Sequence, residues 1–197
     1  MRVGVYPGTF DPPTVAHLAI AEAALQQGGL DRVCLVLSRS PLGKDPAVPS
    51  LEHRLSVLSE VATSRPWLDF AVSELTLIAE LAKGYDAVVM GSDKWQQVCD
   101  PVWYGGSVRA RDDALGSLPR VLLAHRRGHR EIPTIPDGAL ILAVDEGHQD
   151  VSSSGARAGR LEWMAPEAAE FDAATGAWSR SDRYRSGRGG RDFGGGW

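Results

Sequence analysis

"GTFDPPTVAHL", residues 8–18, comes directly after the short apolar run "RVGVY" at 2–6. Its glycine and two prolines make a stiff turn. "TVAHLAIAEAALQQGG" (14–29) then reads as a helix. Thr14 is its N-cap, the interior is rich in Ala and Leu, and Gly28-Gly29 stops it. "RVCLVLS" (32–38) is a second apolar strand. Strand, helix of about four turns, strand is a βαβ unit, which implies a parallel pair with a right-handed crossover.

The same alternation continues outward. "RSPLGKDPAVPS" (39–50) is a loop, and "SLEHRLSVLSEVATS" (50–64) a helix capped by Ser50. "WLDFAV" (67–72) is a strand, "SELTLIAELAKG" (73–84) a helix and "DAVVMG" (86–91) a buried strand, followed by "SDKWQQV". Strands are expected at 120–124 and 139–144, and helices at 152–164 and 166–174. This is the pattern of an α/β, Rossmann-like doubly wound parallel sheet. One domain is expected over 1–178. From Ser179 the chain becomes "SRSDRYRSGRGGRDFGGGW", read as an Arg/Gly-rich disordered tail, 179–197.

Composition bounds the function. The 197 residues are 43% hydrophobic and 23% charged, with a formal net charge of −4. That excludes a global basic field for nucleic acid, so an anionic substrate would need a local cationic pocket. The two cysteines, Cys34 and Cys99, lack metal-ligand spacing and read as buried thiols. No apolar run approaches the ~20 residues that span a bilayer, and no signal peptide is visible. A cytoplasmic protein with no membrane partner is expected.

In a doubly wound sheet, ligands bind at the carboxyl ends of the strands, which points to the loop after the first strand. Gly8 permits a turn or a close backbone approach. The start of the 14–29 helix offers unpaired N–H groups and partial positive charge to an anion. Thr14 and His17 lie three apart on one face of its first turn. A second anion-type junction is "DVSSSGAR" (150–157), just after the last strand. Its serines supply hydroxyls at a helix start, and Arg157 can fork onto phosphate oxygens. Taken singly, each feature also reads as ordinary capping and a solvated side chain. Two such junctions on one sheet edge favour a phosphate site.

"GTFDPPTVAH" resembles the Gly-x-Phe-Asp-Pro…(His/Thr)-x-Gly-His signature of the nucleotidyltransferase superfamily, and "VSSSGAR" its Ile-Ser-Ser-Thr-x-x-Arg signature. The resemblance covers roughly residues 1–172. It implies an enzyme in which an acceptor phosphate attacks the α-phosphorus of a nucleoside triphosphate and pyrophosphate leaves. Such chemistry rests on positioning and charge neutralisation. By resemblance, His17 and Thr14 contact the triphosphate, and His17 stabilises charge on the transferred phosphoryl group. Lys44 reaches the phosphates, and Arg157 with Ser152, Ser153 and Ser154 holds the β- and γ-phosphates. Gly8, Thr9 and Phe10 offer backbone to the nucleotide and acceptor. Mg²⁺ would bridge the phosphates, with no dedicated protein cage seen. Arg54 reads as a structural ion-pair partner.

"VVMGSDKW" (88–95) is similar to the Gly-x-Asp-x-x stretch of nicotinamide- and nicotinate-mononucleotide adenylyltransferases. Gly91 and Asp93 would then face the nucleotide, with Asp93 near the ribose, and Trp95, or alternatively Trp103, would lie near the pyridine ring. Thr14, Ala16 and the third serine differ from the usual pattern of that branch. A pantetheine-phosphate-type adenylyltransferase and a cytidylyltransferase using CTP in place of ATP therefore stay open. A rival of another class is a non-catalytic nucleotide- or RNA-binding protein using the "GRGGR" tail; nucleic acid is not the expected partner. A homo-oligomer is compatible with the sequence.

Overall fold

The computed structural model describes residues 1–39, 49–127, 135–181 and 184. Lys44 and most of the expected tail (182–183 and 185–197) lie outside the described residues. Six parallel strands form one sheet in the order β3-β2-β1-β4-β5-β6. They are β1 (Val3–Gly8), β2 (Arg32–Ser38), β3 (Leu68–Ser73), β4 (Ala87–Gly91), β5 (Arg120–Ala124) and β6 (Leu140–Leu142). The helices are α1 (Val15–Gly28), α2 (Leu51–Thr63), α3 (Ile78–Leu81), α4 (Ser92–Cys99), α5 (Val108–Gly116), α6 (Ser153–Arg157) and α7 (Pro166–Thr175).

The central strands are apolar between their ends because both faces of the sheet are covered. In β2, Val33, Leu35 and Leu37 point into one core with Ile20, Ala21 and Ala24 of α1 and Leu58 and Val61 of α2. Cys34 and Val36 point the other way, into a second core with Leu81 of α3 and Trp95 and Val98 of α4. β4 and β5 split in the same manner: Val89 and Leu122 join the first core, Val88 and Val121 the second. A third cluster joins Val57 of α2 to Ala156, Met164, Ala168 and Trp178. It brings the C-terminal part of the domain against the α2 flank.

Three expectations change in extent, and one helix is additional. The helix expected over 73–84 is only α3, Ile78–Leu81. Ser73 continues β3 by pairing with Ser38, and Leu77 stays extended (φ −82°, ψ 129°). The strand expected over 139–144 stops at Leu142. Beyond it, the Ala143 N–H and carbonyl are both taken by the Gln27 side-chain amide, at 2.8 Å each, so an amide replaces the neighbouring strand. The helix expected over 152–164 ends at Arg157, because Gly159 takes a left-handed φ of 108°. α5 escaped the sequence reading because none of its residues is buried, so no apolar stripe marks it.

Candidate active site

The strand order reverses between β1 and β4, and there the two strands part. They pair only at Gly4–Ala87 and Val5–Val88, while β1 runs on to Gly8 and β4 to Gly91. A cleft of about 1180 Å³ opens beyond that point, lined by Gly8, Thr9, His17, Gly91, Asp93, Trp103, Ser152, Ser153, Ser154 and Arg157. This is where a doubly wound sheet binds its ligand.

The GTFDPP turn is held from four sides. Arg54 Nη1 donates to the Thr9 carbonyl at 2.9 Å and Arg157 Nη1 to the Asp11 carbonyl. Ser153 Oγ donates to the Pro12 carbonyl at 2.8 Å, and the Ala165 N–H to that of Pro13 at 3.0 Å. The peptide between Asp11 and Pro12 is cis. Phe10 is fully buried with φ 44°. Its ring occupies the space a side chain on Gly8 would need, since a Cβ there would lie 2.7 Å from Phe10 Cζ. The glycine and the aromatic ring are therefore one packing unit.

His17 sits at the third position of α1, in a capping box. The Thr14 N–H donates to His17 Nδ1 at 3.0 Å, and the Thr14 hydroxyl lies 2.8 Å from the same atom. The backbone N–H is a fixed donor, so Nδ1 keeps its lone pair and the neutral ring carries its proton on Nε2. The rings of Phe10 and Tyr6 pack against the imidazole, with centroids at 5.1 and 6.0 Å. The result is an oriented donor on the cleft wall.

The second junction closes onto the first. The Ser152 hydroxyl caps α6 by accepting from the Gly155 N–H at 3.1 Å. Arg157 spans Asp11 and Ser154, with Nη2 3.4 Å from Ser154 Oγ. The motifs at the two ends of the chain thus touch directly, as their common sheet edge implied.

Three expected contacts are not on the cleft wall. Thr14 is completely buried and spends its groups on the cap and on His17, so it orients the imidazole from beneath. Phe10 is enclosed in the core. Trp95 is 1% exposed and packs in the second core, because its position on α4 faces the sheet. Trp103, in the short 3₁₀ turn Pro101–Tyr104, is the tryptophan that reaches the cleft.

Other cleft residues went unassigned in the sequence. Arg39, Lys94 and Arg126 line the cleft, as does Arg54. With Arg157 they make five cations against two carboxylates, Asp11 and Asp93, among the described lining residues. This is the local cationic pocket that a chain of net charge −4 needs for an anionic ligand. Arg126 immediately follows His125 beyond β5, and the rule that ligands sit at strand carboxyl ends could have found it. Its N–H is fixed by Ser92 Oγ at 3.0 Å. Burial pulls the Arg54 pKa down, while the Asp11 charge opposes that. Burial drives the Tyr6 phenol far up, partly offset by Arg126, and keeps it a neutral donor.

Comparison with known proteins agrees with this geometry. The cytidylyltransferase-like family profile matches residues 5–159. A probable nicotinate-nucleotide adenylyltransferase of Exiguobacterium sibiricum is 30% identical over 187 residues, covering 85% of this chain and 93% of the relative. One of Bordetella pertussis is 28% identical, covering 81% and 90%. Plasmodium falciparum nicotinic acid mononucleotide adenylyltransferase complexed with APC shares the fold, with a TM-score of 0.65 at 16% identity over 92% of this chain and 98% of its own. With family signatures at both ends of the cleft and a likeness that spans nearly the whole length of its relatives, the chain belongs to the cytidylyltransferase-like family of nucleotidyltransferases.

Proposed function

We propose that the protein transfers the adenylyl group of ATP to nicotinate mononucleotide. The acceptor's phosphate oxygen attacks the α-phosphorus, the bond to the bridging β-oxygen breaks, and pyrophosphate leaves with the electron pair. The observation that carries this reading is the placement of His17. It is locked through Nδ1 by Thr14 and set on the wall of a cationic cleft where β1 and β4 part. That arrangement supplies positioning and charge neutralisation, which phosphoryl transfer needs more than a protein nucleophile. The full-length likeness to nicotinate-nucleotide adenylyltransferases supports this acceptor over phosphopantetheine, and ATP over CTP.

In this reading Nε2–H of His17 donates to the α-phosphoryl oxygens as charge builds there. Arg157 and the Ser152–Ser154 segment hold the β- and γ-phosphates, and Lys44 reaches the phosphates. Asp93 faces a ribose, the backbone at Gly8, Thr9 and Gly91 lets the nucleotide approach closely, and Trp103 stacks on the pyridine ring. Among the described residues no three His, Cys, Asp or Glu side chains cluster to cage a metal. The hydroxyl and cationic donors of the cleft suit phosphate oxygens instead. Mg²⁺ fits as an ion carried on the triphosphate, where it would neutralise charge on the leaving pyrophosphate.

A pyrophosphate-release screen tests the reading. It crosses ATP, CTP, GTP and UTP with nicotinate mononucleotide, nicotinamide mononucleotide, phosphopantetheine and simple phosphonates. Turnover is expected with ATP and nicotinate mononucleotide. Silence with that pair, or preference for another, overturns it.

A further inference from the structure

The Asp11 side chain, in the middle of the GTFDPP turn, is 13% exposed. A buried carboxylate needs partners for its oxygens. Oδ2 lies 3.4 Å from Arg157 Nη1. Oδ1 accepts from the indole Nε1–H of Trp178 at 2.7 Å, a buried bond between residues 167 positions apart.

Trp178 is itself held in place. It is 2% exposed, and its ring meets Phe171 with centroids 5.7 Å apart. Its N–H and that of Ser179 both donate to Asp172 Oδ1, at 2.7 and 3.0 Å. Gly176, with φ 67°, turns the chain back after α7 so that the indole faces the turn. Trp178 lies beyond the 5–159 stretch that the family profile matches. It does not line the cleft.

Removing the indole donor would leave Oδ1 buried with no hydrogen bond. The carboxylate would then rotate toward Arg157 or water, and Arg157 also holds the Asp11 carbonyl. The Asp11 side chain and backbone are therefore coupled through one guanidinium.

We propose that Trp178 is a positioning residue: its indole N–H fixes the Asp11 carboxylate, and through it both Arg157 and the turn that delivers His17 to the cleft. The kinetic consequence rests on the adenylyl-transfer reading, while the structural consequence does not.

Trp178→Phe deletes the donor and keeps an aromatic ring. Phe171→Leu trims the same apolar cluster and keeps the donor. Trp178→Phe should speed amide exchange in peptides covering 8–18 at least tenfold, leaving 32–38 and 120–124 unchanged. It should lower kcat by ~10- to 100-fold, the scale set by small misplacements of reacting groups, and raise KM for ATP as Arg157 loses its fixed carboxylate partner. Phe171→Leu should lower Tm and leave kcat within twofold. Exchange that rises across all peptides, or an equal loss of kcat in Phe171→Leu, assigns Trp178 a packing role only and overturns the proposal. Should wild type itself fail to turn over ATP with nicotinate mononucleotide, the functional reading falls, and the exchange pattern alone decides the role of Trp178. Should Trp178→Phe not fold, the wild-type indole resonance decides: a shift of its Nε1–H on adding tripolyphosphate is expected, and no shift overturns the proposal.

Discussion

The N–H of Thr14 donates to Nδ1 of His17 at 3.0 Å, so the residue that caps α1 also selects the tautomer of the cleft-facing imidazole. A capping box that includes histidine ties helix initiation to the chemistry of the site.

His17→Ala should lower kcat by ~10²- to 10³-fold, the usual cost of losing one preorganised donor to developing charge. Losing half of the capping box should cost only about 1 kcal/mol of stability. Steady-state kinetics with a thermal melt on the same preparation separates the two effects. A kcat within threefold of wild type would remove the proposed role.

The two tryptophans should respond in opposite ways. Trp95→Ala empties a core position and should cost about 3–5 kcal/mol in urea unfolding. Trp103→Ala sits on the cleft and should leave the unfolding midpoint nearly unchanged while raising KM for the acceptor roughly tenfold, the loss of a stacking contact of about 1–2 kcal/mol. The reverse assignment of effects would return Trp95 to the substrate side.

Gly8→Ala places a methyl 2.7 Å from the Phe10 ring. That ring cannot retreat, because it is fully buried. Overpacking of about 1–3 kcal/mol is expected, together with a fall in activity as the turn shifts. A Gly8→Ala, Phe10→Leu double variant should recover part of the lost stability, and strict additivity of the two changes would argue against a shared packing unit.

Arg65 and Glu167 form a largely buried pair at 2.7 Å, joining the end of α2 to the start of α7. Burial alone would push the Glu167 carboxyl up, but hydrogen bonds from Arg65, its own backbone and Ser64, with the Arg65 charge, pull it below 4.5. The folded state therefore binds this proton less readily than the unfolded chain. The pair stabilises fully above about pH 4.5, and its contribution is lost as pH falls through the lower folded value. Glu167→Gln should destabilise by about 1–3 kcal/mol at pH 7. It should also flatten the dependence of the urea midpoint on pH between 5 and 3. A parallel pH dependence in the variant would place the acid sensitivity elsewhere.

Much of the architecture was legible because local rules and the global fold agree in this chain. Doubly covered strands must be apolar in their interiors, and those of β2, β4 and β5 are. α1 carries a cap and a glycine stop that need no tertiary help, and its observed ends match. The 73–84 segment misled because its apolar spacing suits a helix, while strand pairing with Ser38 and the cleft wall claim its first half. α5 was silent because a helix with no buried face leaves no period to read.

The sequence by itself determined the alternating parallel sheet, the two phosphate-type junctions and their family signatures. These follow from short-range patterns of burial, turn chemistry and capping. Only the tertiary structure decided which side chains face the cleft. Thr14, Phe10 and Trp95 are turned inward, while Arg39, Arg126 and Trp103 are turned toward the ligand space. Orientation depends on which elements pack behind a residue, and those elements come from distant parts of the chain. The Trp178–Asp11 bond is the extreme case: its partners are 167 positions apart, and no local pattern in either segment specifies the other.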